Sequence, residues 1–336
     1  MPKCKYTSIG GQALIEGIMM KSPEKTAMAV RTKDGSIDVS YLDQPSVRQK
    51  YKILNIPIIR GVIAFAESLI NGYKALMISA DKSGFTDLED TEPCAEQKKK
   101  ESALINIVML IGSVLGVALA VVLFMLLPRL AVEGLRLLFK TDFSKLARSG
   151  IEQGIKLAVF VLYVWLVSFM KDIRRTFMYH GAEHKTIFCY ENGLPLTVEN
   201  VRKQKRLHPR CGTSFMILMI LISVILSTVV QIIFPEVYNL AYAWVAIKIL
   251  LVPLTCGVGF EVLKFCGKYD NIFTKIISAP GLWLQKITTK EPDDGMIEIA
   301  IAALKACEPE NPDVNRPTDE INEEENAETE TEENEQ

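Results

Sequence analysis

His180, His184 and His208 are the only histidines in a chain of 336 residues, and they fall within one 29-residue stretch. The first two flank Glu183 in the order His-x-x-Glu-His. On a helix, positions i, i+3 and i+4 share a face. His180, Glu183, His184, Ile187 and Glu191 therefore line one side of a predicted helix, Asp172 to Glu191, that stops at Asn192-Gly193. Two imidazoles one turn apart can aim a nitrogen each at a common ion. A carboxylate between them can bind that ion or take a proton from its bound water. The order is also that of the inverted zinc-peptidase motif.

The following segment, LTVENVRKQKRLHPRCGTSF, adds two more donors. Thr197 is suited to cap a short helix with Glu199 in its first turn. Pro209 disfavours helical geometry at the residue before it, so that helix is expected to end near His208. Cys211 then precedes a helix start at Thr213 and Ser214, where the positive end of the dipole favours a thiolate or a bound anion. The expected site has His180, His184, His208 and Cys211 as metal ligands and Glu183 as catalytic base. Zinc is the divalent ion that this mixture of imidazole and thiol suits best. Glu16 and Glu261 are the candidate distant contributors, with Gln12, Glu191, Glu199 and Arg210 as further supporting polar groups. The bland alternative is a hydrogen-bonded or surface histidine pair.

The elements that must position these residues are mostly apolar. Four runs, roughly 103 to 128, 151 to 170, 214 to 234 and 240 to 262, reach or approach the ~20 residues that cross a bilayer as a helix. The expected fold class is an α-helical multi-pass membrane protein of about four transmembrane helices, with a small N-terminal β-rich region and a cytosolic helical loop. Its expected parts are a β-rich region 1–50, an amphipathic helix 51–80, a polar linker 81–102 and two spans within 103–170. After these come the histidine loop 171–213, two spans within 214–265, a C-terminal cytosolic helical segment 266–307 and an acidic tail 308–336. In the β-rich region, Lys33-Asp34-Gly35 separates two strand-like runs and signals a hairpin. Gly10 and Gly11 allow a sharp turn or a close approach. In the amphipathic helix, Arg60, Glu67, Asn71 and Lys74 share the polar stripe, so it is expected on the membrane surface or packed against the sheet. Lys248 lies within the fourth run, where it can snorkel outward.

Charge sets the expected topology. Nine basic residues against four acids lie between the second and third spans, and Lys98-Lys99-Lys100 precedes the first, so both are expected in the cytosol with both termini. Arg129 to Lys156, expected outside, carries six basic residues; Leu130 to Lys140 is therefore expected as an interfacial helix. Residues 1–50 contain no apolar core of a signal peptide, so the first span is expected to serve as targeting signal. Thirteen acids and one arginine crowd residues 308–336, leaving 37 basic against 27 acidic groups, a net of +10, in residues 1–307. That tail has almost nothing apolar to bury and is expected to be disordered. Seven dispersed cysteines without CxxC pairs argue for reduced thiols rather than a disulfide framework.

The strings IGGQALIEGIMMKSP, YHGAEHKTIFCYENG, LTVENVRKQKRLHPRCGTSF and TTKEPDDGMIEIAIAALK resemble the bacterial YqhQ-like membrane family, an uncharacterised group labelled as predicted metal-dependent enzymes. The resemblance runs from about Ile9 to Lys305. It implies membrane location and a metal, and names no reaction or substrate. Two functions compete: a metal-dependent hydrolase at the cytosolic membrane surface, and a non-enzymatic factor in protein insertion or assembly. In the second, the basic loop docks a ribosome or protein partner. Membrane lipid is an expected partner of either, and DNA of neither. A transporter is disfavoured, since the runs hold hardly any charge and no inverted repeat.

Overall fold

A computed structural model of the chain describes residues 9–43, 47, 51–85, 111–112, 114–209, 211–234, 236, 241–269 and 271–308. Most of the expected linker, the start of the first apolar run, Arg210 and the tail 309–336 lie outside these residues. The chain divides into two units, one of Met1–Thr86, Ser168–Leu218 and Cys256–Gln336, the other of Asp87–Val167 and Met219–Thr255.

In the first unit, β1 (Gly10–Leu14), β2 (Gly17–Lys21), β3 (Thr26–Arg31) and β4 (Ile37–Tyr41) form an antiparallel sheet in the order β1-β2-β3-β4. The Asp34-Gly35 signal is the β3–β4 turn, where Gly35 takes a left-handed backbone at φ 84°. Gly10 and Gly11 do not turn; they open β1, and the β1–β2 turn falls at Ile15-Glu16. Gly11 instead permits close approach, since a Cβ there would lie 2.8 Å from Met20 Sδ and 2.9 Å from the Glu183 carboxyl carbon.

The described helices are α1 (Ile59–Lys82), α2 (Val114–Phe139), α3 (Lys145–Val167), α4 (Lys171–Glu191), α5 (Val198–Arg202), α6 (Gly212–Ile233), α7 (Ala241–Lys268), α8 (Ile272–Thr288) and α9 (Asp294–Cys307). The strands GIMMK and TAMAVR are continuous apolar runs because both faces of the sheet are covered. Ile18, Met20, Ala27 and Ala29 pack with Tyr179 and Ala182 of α4 and with α9; Met19, Met28 and Val30 pack with Ala75 of α1. Asp293 caps α9 by accepting from the Met296 N–H at 2.8 Å. That helix buries Met296, Ile297 and Leu304, each stabilising by roughly 1.5–3 kcal/mol relative to exposure.

Among the described residues, five helices are long and apolar enough to cross a membrane: Ile59–Lys82, Val114–Phe139, Ala147–Val167, Gly212–Ile233 and Ala246–Cys266. The fifth candidate beyond the expected four is α1. It crosses α7 closely through small residues, a Cβ on Gly61 falling 2.9 Å from Gly257 Cα. Its far end is tied to the sheet, where Ser79 donates to the Ile15 carbonyl and Lys82 pairs with Asp38. The separate interfacial helix expected at Leu130–Lys140 is instead the continuation of α2, which ends at Lys140 (φ 47°). A π-turn at Val122–Leu126 precedes Pro128, and its wider winding accommodates the missing proline N–H. In the second unit, Lys248 reaches Glu152 at 3.4 Å and lies 5.4 Å over the Trp244 ring, which gives it partners within the bundle.

Candidate metal centre

Helix α4 forms where expected, and Gly193 ends it in the left-handed conformation at φ 65°. From Tyr179 to Ile187 every residue is buried. The sheet and α9 cover one side; the loop after α5 and the end of α8 supply partners on the other.

His180 and His184 pack edge to face, with ring centroids 4.4 Å apart. The Nδ1–H of His180 donates to the Thr288 carbonyl at 2.9 Å, and that of His184 to the Arg206 carbonyl at 2.5 Å. A backbone carbonyl can only accept, so both imidazoles are fixed with hydrogen on Nδ1 and a lone pair on Nε2, the arrangement typical of metal-ligating histidine. His180 Nε2 lies 3.1 Å from Cys211 Sγ. His184 Nε2 is buried and, among the described residues, has no hydrogen-bond partner. The three ligand atoms lie within 4.8 Å of one another, and this buried His–His–Cys group can hold a metal ion. Zinc takes nitrogen at about 2.0–2.1 Å and sulfur at about 2.3 Å, so tetrahedral ligands sit roughly 3.5 Å apart.

The electrostatics agree. Burial pushes the His184 pKa down, with smaller opposing contributions from Cys211 and the Arg206 carbonyl, so the ring is held in its neutral, ligating form. The Thr213 N–H, at the start of α6, points at Cys211 Sγ from 3.4 Å, and the Thr213 hydroxyl lies 3.2 Å away.

The structure places the other expected residues elsewhere. His208 is buried beside His184, with centroids 5.7 Å apart, and its Nε2 faces Glu191 at 3.6 Å; it does not join the ligand group. Gln285 of α8 accepts from the His208 N–H at 2.8 Å and donates to its carbonyl at 2.7 Å, which turns the ring toward Glu191 and Phe188. Glu183 is buried against β1 and accepts from the Gly11 N–H; burial raises its pKa, against smaller lowering by His180 and that hydrogen bond. Glu16 takes Arg175 in a two-pronged pair and the Tyr179 hydroxyl at 3.1 Å. Gln12 lies against Gly72 of α1, and Glu261 pairs with Arg60 through contacts of 2.7 and 2.5 Å. Glu199 is exposed and pairs with Lys203 at 2.7 Å. Helix α5 is capped by Thr197 as expected but ends at Arg202, well before His208, because the backbone of residues 206 and 208 is diverted to His184 and Gln285.

Sequence reasoning missed Thr288 and Gln285. Their signal lies in buried polar residues on an otherwise apolar helix, next to the TTKEPDDG string.

Comparison with known proteins agrees with the motif resemblance. A family profile described as "Protein of unknown function (DUF1385)" matches residues 56–310, a stretch that contains His180, His184 and Cys211. The "Uncharacterized protein YqhQ" of Bacillus subtilis (strain 168) is 37% identical over 296 residues, covering 88% of this chain and 90% of the relative. No solved structure matches the chain. With three-quarters of its length inside the profile and that relative spanning nearly all of it, the chain belongs to the DUF1385 family, the YqhQ-like proteins.

Proposed function

We propose that the chain is an integral membrane protein that carries one zinc ion on His180, His184 and Cys211 at its cytosolic face and acts as a metal-dependent hydrolase. The observation that carries this is the buried, unpartnered Nε2 of His184, within ligand distance of two further donors. Leaving such a nitrogen unpaired costs about 1–3 kcal/mol, which a bound ion relieves. Three protein ligands leave one position for water, as in catalytic rather than closed structural sites. Zinc, when bound, supplies a Lewis acid and a water that ionises near neutral pH. Glu183, beside His184 in the chain, is the candidate acid–base group. The nine basic residues of the 171–213 loop support a cytosolic location for the site and both termini.

Burial of all three ligands favours a second role, a closed structural centre in a non-enzymatic factor for protein insertion or assembly. Partner docking by the basic run draws less support, since Arg202 pairs with Asp294 and Lys203 with Glu199. The test is elemental analysis of detergent-purified protein, followed by Glu183→Gln. About one zinc per chain is expected, with hydrolysis lost and metal retained in the variant. Metal far below that level removes both roles, and metal with no Glu183-dependent hydrolysis leaves the structural one.

A further inference from the structure

Helix α8 is amphipathic in the inverse sense. Its buried face carries Thr274, Gly281, Gln285 and Thr288 with Leu284 as its one large apolar residue, whereas Ile272, Phe273, Ile276 and Trp283 on the opposite face are 64% to 71% exposed. At helical spacing these four fall within one stripe about 100° wide. The inner face cannot rotate outward, because it is bonded to the metal centre. Thr288 accepts from His180, Gln285 clamps His208 and reaches the Ser214 hydroxyl at 2.9 Å, and a Cβ on Gly281 would lie 2.6 Å from Ser214 Cβ. The apolar stripe is therefore held outward by the site itself. A stripe of this size facing water is a liability unless something apolar covers it.

We propose that α8 is an interfacial membrane helix whose Ile272, Phe273, Ile276 and Trp283 lie in the headgroup–acyl boundary of an anionic bilayer, so that the metal centre is seated directly beneath the lipid surface. Two features select lipid as the occupant. Only residues 269–271 separate α8 from α7, which contains the candidate span Ala246–Cys266, so the helix starts where that span leaves the bilayer. Lys275 and Lys286, both exposed, flank the stripe on one side, where they complement anionic headgroups. The proposal rests on the membrane reading above and names the surface from which the site's substrate would arrive.

Trp283 is one of three tryptophans, with Trp165 and Trp244 in the other unit. The full chain carrying Trp165→Phe and Trp244→Phe is reconstituted into phosphatidylcholine–phosphatidylglycerol vesicles, and its fluorescence is read against brominated lipids and aqueous iodide. Bromine near the glycerol end of the acyl chain should quench Trp283 severalfold more than bromine near the methyl end, and iodide should have little effect. Should the double variant fail to fold, the signal lost between wild type and Trp283→Phe gives the same measurement. Quenching by iodide without quenching by bromolipid places the stripe in water and overturns the proposal. Quenching by neither means that a protein partner or a second copy covers it, which also overturns it. Zinc content of the same samples is measured separately, so loss of the metal reading and loss of the lipid contact are told apart.

Discussion

Thr288 stands 108 residues after His180, and its carbonyl oxygen lies 2.9 Å from the His180 Nδ1. That one bond decides which imidazole nitrogen is free for a metal, so the candidate ligand on α4 depends on the C-terminal end of α8.

Gly181 tests this dependence. A Cβ there would lie 2.0 Å from the Lys290 carbonyl oxygen, while the Lys290 N–H is bonded to the Phe177 carbonyl at 2.8 Å. Gly181→Ala should push residues 288–292 away, lower the melting temperature and weaken zinc binding by about 10–100-fold, as loss of an orienting partner does. Chelator competition measures the affinity. Gly134→Ala, with open space around its Cβ, is the control and should change neither.

Substitutions at Cys211 and His208 test which of the two binds the proposed metal. Cys211→Ser should remove most of the bound metal, measured by elemental analysis. His208→Ala should lower the melting temperature through lost packing on Phe188 and the lost Glu191 contact, yet keep the metal. Equal metal loss in both variants would place His208 among the ligands.

Cys307, the last residue of α9, offers a pH test. Burial, reinforced by the Glu308 charge, pushes its thiol from the ordinary 9.0 up to about 12. The fold retains a proton that the unfolded chain releases first. Its contribution is therefore complete below pH 9.0 and lost as pH rises toward 12, by up to ~1.4 kcal/mol per pH unit. Denaturation midpoints of Cys307→Ala should fall less steeply over that range than those of the wild type.

Asn192, exposed at the end of α4, tests the proposed cytosolic location of the 171–213 loop. A cysteine introduced there should resist impermeant thiol reagents added outside intact cells and react once cells are opened. Rapid labelling from outside would invert the topology.

Much of the site was legible because helical periodicity alone places His180 and His184 on one face, and Asn192-Gly193 and Thr197 mark their own boundaries. The choice between His208 and Cys211 was not. Both donors stand on the same short loop, and the backbone of His208 is held by Gln285, which belongs to a helix far along the chain. Thr288 and Arg206 were invisible for a different reason: each acts through a backbone carbonyl, which any residue type supplies. In the fold, α1 was legible as a helix, but its Gly61–Gly257 crossing depends on a partner that the local pattern does not name. The π-turn in α2 leaves its mark only as Pro128 inside an apolar run.

The sheet is closed by the last helix of the described chain: Arg31 on β3 donates to the Gly295 carbonyl at 3.1 Å, across 264 residues. During synthesis at roughly 5–20 residues per second, that partner follows the strand by on the order of 13 to 50 s. Throughout that interval Ile18, Met20, Ala27 and Ala29 have left the ribosome without α9 to cover them. The apolar face of the sheet therefore waits for the synthesis of every later helix before α9 can cover it.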